Sequence, residues 1–181
     1  VQVKDTDAYI AENAIVKAKR DVLVEANARD KVINSAATIG VGSTAGVAGT
    51  ASVGVIVNET DARIDGDVRA ENDVALDANA SSELIQIAGA VGGGGTAGIG
   101  ASFGVAVVKG TTNAIIGNTA QVDAAATTSV TADSTEKSVA AVLAGGVGGT
   151  VGVSVSAGIK VHDSTTKAEI LGGVNQRYDN A

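Results

Sequence analysis

The sequence predicts an all-β fold, a parallel β-helix built as a stack of similar coils. Three observations lead there. A degenerate unit of about 54 residues recurs along the 181-residue chain, and hydrophobic residues alternate with period two almost throughout. The side chains are also small: glycine contributes 24 residues, and Pro, Cys, Met and Trp are absent. Repetition at this period belongs to stacked arrays rather than to globular enzymes. Alternation at period two marks half-buried strands. Small residues suit a narrow interior in which sheets approach closely.

The unit is clearest at its glycine-rich stretch: Thr44-Ala45-Gly46-Val47, Thr96-Ala97-Gly98-Ile99 and Thr150-Val151-Gly152-Val153, with threonines 52 and then 54 residues apart. Eighteen residues after each threonine come Ala62, Ala114 and Ala168, followed by Ile64, Ile116 and Ile170. Ala8 and Ile10 begin the same pattern. The first copy lacks its glycine block, the last lacks its valine-rich half, and there is no initiator Met. Residues 1–181 therefore read as one repeat segment, a fragment of a longer array.

Each strand follows from its alternation. Val22, Val24 and Ala26, then Val74, Leu76 and Ala78, occupy every second position. After the glycine blocks, Val53, Val55 and Val57 are matched by Val105 and Val107, then by Ile159 and Val161, and these are expected to stack as interior ladders. Ahead of the threonines, Ile33, Ser35, Ala37 and Ile39 match Ile85, Ile87, Gly89 and Val91, then Val139, Ala141, Leu143 and Gly145. Identical offsets predict one register through all copies. Helix competes for Ala124-Ala125-Ala126 and for Val139 to Ala144, since alanine favours it. Val, Thr and Gly interrupt each run, however, and no 3.6-residue apolar face persists.

Polar corners separate the strands: Glu12-Asn13, Lys19-Arg20-Asp21, Asp65-Gly66-Asp67, Glu71-Asn72-Asp73 and Gly117-Asn118. Asn, Asp and Gly suit such turns. Corners this frequent imply strands of four to six residues. Half a unit, about 27 residues, would then form one three-sided coil, giving two coils per repeat. The 52-residue copy would lack two residues at a corner. An antiparallel meander or prism fits the same alternation. The glycine blocks Gly40-Val41-Gly42 and Gly92 to Gly95 recur at one place in the unit, which predicts close backbone packing or a sharp bend. They lack the Gly-Lys-Ser/Thr context of a nucleotide loop.

Composition removes several classes of function. Hydrophobic residues make up 45% and charged residues 18% of the chain, the reverse of a disordered composition. The net charge is −7 and the only basic cluster is Lys17-Ala18-Lys19-Arg20, so nucleic acid is not an expected partner. No run of eighteen apolar residues occurs, and direct membrane insertion by this segment is not expected. Without Cys there is no disulfide framework.

Chemistry-bearing residues are few. His162, the sole histidine, aligns with Ile56 and Val108 and reads as an exposed strand residue rather than a metal ligand. Asp61, Asp65 and Asp67 form the densest acidic group, with Asp5 and Asp7 at the comparable corner upstream. Turn chemistry accounts for them, although paired carboxylates serve glycosidic cleavage in some folds and hard oxygen ligands at corners suit calcium. The EF-hand and glycine-aspartate nonapeptide spacings are both missing. Phe103 shares parity with Val105 and is expected in the interior. Tyr9 and Tyr178 are isolated. Thr127, Thr128 and Thr131 do not make the flat array of an ice-binding surface. The expectation is a non-enzyme with no catalytic, cofactor-binding or metal residues and no cofactor.

The runs Ile99-Gly-Ala-Ser-Phe-Gly-Val-Ala-Val-Val108, Val47-Ala-Gly-Thr-Ala-Ser-Val-Gly-Val-Ile-Val57 and Val153-Ser-Val-Ser-Ala-Gly-Ile-Lys-Val161 resemble the passenger repeats of giant bacterial surface proteins. So do the strands Asp21-Val-Leu-Val-Glu-Ala26 and Asp73-Val-Ala-Leu-Asp-Ala78. The likeness is to filamentous-haemagglutinin-like adhesins of the two-partner and autotransporter secretion systems, and to repeats of the large secreted leukotoxin of fusobacteria. It implies a right-handed β-helical stalk, a secreted or outer-surface location, and a role in adhesion or virulence. A structural and adhesive stalk is the resulting expectation, with flanking repeats of the same chain and a host-cell protein or glycan as partners. A segment of a leukotoxin or pore-forming toxin is one alternative, and a β-helical polysaccharide-degrading enzyme is another.

Overall fold

A computed structural model describes residues 1–175; Tyr178 lies outside the described residues. The described chain is strand and turn, with no helix. Its strands form three parallel sheets. The front sheet holds β1 (Gln2–Ile10), β4 (Ala45–Ile64), β7 (Ala97–Ile116) and β10 (Val151–Ile170), hydrogen-bonded in that order. A short sheet holds β2 (Ile15–Ala18), β5 (Asp67–Ala70), β8 (Gln121–Ala124) and β11 (Gly173–Val174). The back sheet holds β3 (Val22–Gly42), β6 (Val74–Gly94) and β9 (Thr128–Gly148). The chain visits front, short and back sheets in turn and then begins the next layer, the arrangement of a parallel β-solenoid. An antiparallel meander is thereby excluded.

Pairing fixes the coil length and corrects one expectation. Ala8 pairs with Ala62, Ala62 with Ala114 and Ala114 with Ala168, so strands one whole repeat apart are neighbours. Each 52–54-residue repeat is therefore one coil, not two coils of about 27 residues. The reason is that no corner falls between the short sheet and the glycine-rich reversal, so the strands there run for 20 or 21 residues and only the short sheet has four-residue strands. The shared register read from the offsets holds: Ile33, Ile85 and Val139 are in line, as are Val53, Val105 and Ile159.

A coil has a thick end and a thin end. At the thick end the short sheet bridges the two long ones around Ile64, Val68, Val74, Leu76, Ile116 and Val122, all fully buried. Further along, Ile56, Leu84, Ala106 and Val108 form a smaller cluster. Beyond that the interior narrows to mostly small residues, with Asn34, Gln86 and Val142 the larger side chains there. Gln86 is buried there and its amide donates to the Ser52 carbonyl at 2.6 Å and to Ser52 Oγ at 3.0 Å. At the thin edge the backbones touch. A Cβ on Gly40, Gly92 or Gly146 would lie about 2 Å from the carbonyl oxygen of Val47, Ile99 or Val153 in the facing strand. The chain then reverses through Ser43-Thr44, Gly95-Thr96 and Gly149-Thr150, where the Thr96 N–H donates to the Thr44 carbonyl and the Thr150 N–H to that of Thr96. No described glycine has a positive φ, so space rather than backbone conformation requires these glycines.

That narrowing reverses the expected parity. Even-numbered positions of β4 and β7 face inward, and odd-numbered ones face out. Val53 is 56% exposed and Ile159 50%, so these ladders lie on the outer face. Phe103, at 40% exposure, is likewise outside. A gap lined mainly by glycine, alanine, serine and threonine leaves little room for large side chains and turns most Val, Ile and Phe outward, overriding the usual burial preference.

The corners between front and short sheets alternate in length. Residues 11–14 and 117–120 form four-residue corners; residues 65–66 and 171–172 form two-residue corners. This is where the 52-residue repeat loses its two residues, as expected. Long corners arch over short ones. The Asp67 N–H donates to the Ala14 carbonyl at 2.8 Å, and the Gly173 N–H to that of Ala120 at 3.0 Å. Gly66 and Gly172 sit beneath these arches, where a Cβ would meet two carbonyl oxygens at 2.4–2.6 Å. Asn13, with φ of 65°, supplies the left-handed residue of the first arch.

Candidate functional surfaces

The acidic residues that the sequence singles out lie along the outside of the shaft, whereas Asp30 and Asp123 are buried. Parallel pairing sets Asp5 beside Glu59 and Asp7 beside Asp61 on the front sheet, so Asp61 belongs to a strand rather than a turn. Their mutual repulsion, from Asp61 first and then Asp5, holds the Glu59 carboxyl above its usual range. Asp61 accepts a hydrogen bond from the Asn113 amide at 2.8 Å. Asp65 does sit at a corner, where Arg63 Nε donates to its carboxylate at 2.5 Å. That bond raises the Arg63 pKa further. These carboxylates form a row along one surface, whereas glycosidic cleavage needs two acids facing each other across a substrate.

His162 is an exposed strand residue as expected, but its parity is the inward one. Its alignment with Ile56 and Val108 is real, but both of those are buried, so His162 occupies an inward position in the last front-sheet strand. There Nε2 lies 2.6 Å from the Glu136 carboxylate. Among the described residues no three His, Cys, Asp or Glu side chains come together as a metal-binding group. The depressions are shallow and open, as between Ile15-Val16-Lys17 and Asp67-Val68-Arg69.

Two other surfaces stand out. On the back sheet, Lys31, Glu83 and Lys137 are in register across three coils. Glu83 accepts from Lys31 at 2.8 Å and approaches Lys137 at 3.6 Å, and the ammonium of Lys31 lowers its pKa. This charged row marks a boundary. Toward the thin edge, residues 33–58, 84–108 and 138–159 carry no charge at all. Both outer faces of the thin half are apolar: Val47, Val53, Ile99, Phe103, Val155 and Ile159 on the front, and Ile33, Ile39, Ile87, Val91, Leu143 and Val147 on the back. The signal for these faces was present in the sequence as three uncharged stretches whose even positions hold only small residues around each turn.

Comparison with protein-family models, with curated proteins and with solved structures finds no match to this chain.

Proposed function

We propose that this chain is a structural and adhesive stalk segment of a secreted or surface-displayed bacterial protein, acting without catalysis and without a cofactor. One observation carries the reading. Every sheet extends by adding a strand in the same register, so that each coil repeats the surface of the one before it. Such an array works through length and repeated surface, where weak contacts add by multivalency. Its partners on this reading are flanking repeats of the same chain and a host-cell protein or glycan. Binding of the purified chain to host cells, measured by flow cytometry, tests it. Saturable binding without lysis is expected, and turnover of a polysaccharide panel would overturn it.

One observation favours a second reading, a segment of a membrane-active toxin: the uncharged thin half has apolar surface on both sides. Dye release from phosphatidylcholine vesicles would move the toxin reading to first place.

A further inference from the structure

We infer that the front outer face of the thin half is a docking surface for a second copy of this chain. The inference stands apart from the stalk reading and needs only the geometry of that face. In this half of the front sheet β7 pairs with β4 on one side and β10 on the other. Phe103 projects from that central strand. It is flanked in register by Ala51 and Ala157, and Gly49 and Ala101 lie beside it. The result is one aromatic knob next to a hollow floored by Gly49, Ala51 and Ala101.

Knob and hollow are self-complementary. A two-fold axis parallel to the strands, between β4 and β7, brings Phe103 of each copy over Ala51 and Gly49 of the other. That is an isologous, closed contact. The outward positions from Val47 to Val55, Ile99 to Val107 and Val153 to Ile159 are uncharged, so sheet-on-sheet packing strands no charge. A contiguous apolar patch of this kind is often a functional contact surface. The face is limited to the outward side chains of about three strands, including Val47, Val53, Ile99, Phe103, Val155 and Ile159, which suits a small rather than a large interface. A weak, micromolar dimer is the expected strength.

Sedimentation velocity of the whole chain from low to high micromolar concentration tests this. The wild type is expected to show a concentration-dependent monomer–dimer equilibrium. Ala101→Lys should abolish it, and Phe103→Ser should weaken it at least tenfold. Leu143→Lys, on the back face, should leave it unchanged. Circular dichroism spectra matching the wild type exclude misfolding, and Phe103→Ser, at an exposed position, serves if Ala101→Lys does not fold. A wild type monomeric throughout would overturn the inference. So would dimers that survive Ala101→Lys but not Leu143→Lys, or co-sedimentation with phosphatidylcholine vesicles in place of self-association.

Discussion

Gly92 and Gly93 are adjacent, yet the fold asks opposite things of them. Gly92 points inward, where a Cβ would stand 1.9 Å from the Ile99 carbonyl oxygen; Gly93 points outward with nothing within 4 Å. Gly92→Ala must push the facing strands apart and is expected to cost about 1–3 kcal/mol, the range for overpacking a tight interior. Gly93→Ala should be neutral or stabilise by about 0.4–1 kcal/mol, because it restricts the unfolded chain. Urea denaturation of the two variants reads the difference directly. The large residues invert in the same way. Leu76→Ala removes a fully buried side chain and should cost about 2–5 kcal/mol. Phe103→Ala should change stability by only a few tenths of a kcal/mol, as is usual at exposed sites. An equal loss in both would put Phe103 back in the interior. Alternation told which residues share a face but not which face is inside. For Val24 and Leu76 the apolar set is inside; for Val53 and Phe103 it is outside. Only the distance between sheets, which no single strand encodes, separates the two cases.

At the level of strands and corners, repeat offsets were a dependable guide to register, because identical residues such as Ala62 and Ala114 stack directly. Coil length was not legible. The polar corners suggested strands of four to six residues, whereas no corner interrupts the chain between the short sheet and the glycine-rich reversal, where the expected close packing and bend are found. The nested corner supplies one test. Gly66→Ala places a methyl group against the Ala11 and Ala14 carbonyls and should cost about 1–3 kcal/mol. Deleting Glu12 and Asn13 removes the arch and should relieve part of that loss in the double variant, which a double-mutant cycle by thermal denaturation would reveal. The acidic row supplies another. The Glu59 pKa is raised above its ordinary 4.5, so the folded chain binds that proton more tightly than the unfolded chain does. The row therefore lowers stability at neutral pH, and the penalty fades as pH falls through the raised pKa toward 4.5. Glu59→Gln is expected to raise the Tm at pH 7 in low salt, with the gap closing in high salt and below pH 4.5. A gap that widens on acidification would reverse the sign of the interaction.

Across the whole molecule, stability is distributed along the stack but not across it. The large buried side chains are in the thick half, while the thin half packs backbone against backbone. Segments with little buried apolar area open at lower free energy. Amide exchange is therefore expected to be faster in residues 45–54 of β4 than in residues 56–64 of the same strand, with β7 behaving alike. Uniform protection along both strands would show that backbone contact alone matches a side-chain core. The whole-molecule architecture was legible as a stacked array from the period, since repetition implies equivalent layers. The surfaces open to partners went unread, because their signal lay in the small residues at even positions, which leave no room inside and turn the apolar residues outward on both sides.

The alternating corners give the array an arithmetic of its own. A long arch needs a short, glycine-bearing corner beneath it, as Ala11–Ala14 covers Gly66 and Gly117–Ala120 covers Gly172. The unit that tiles is thus a pair of unlike coils, and a lone coil is half a tile. Gene recombination that duplicated or removed one coil would set two arches, or two glycine corners, against each other. Length in such an array should change by even numbers, and homologous crossovers should favour partners two coils apart.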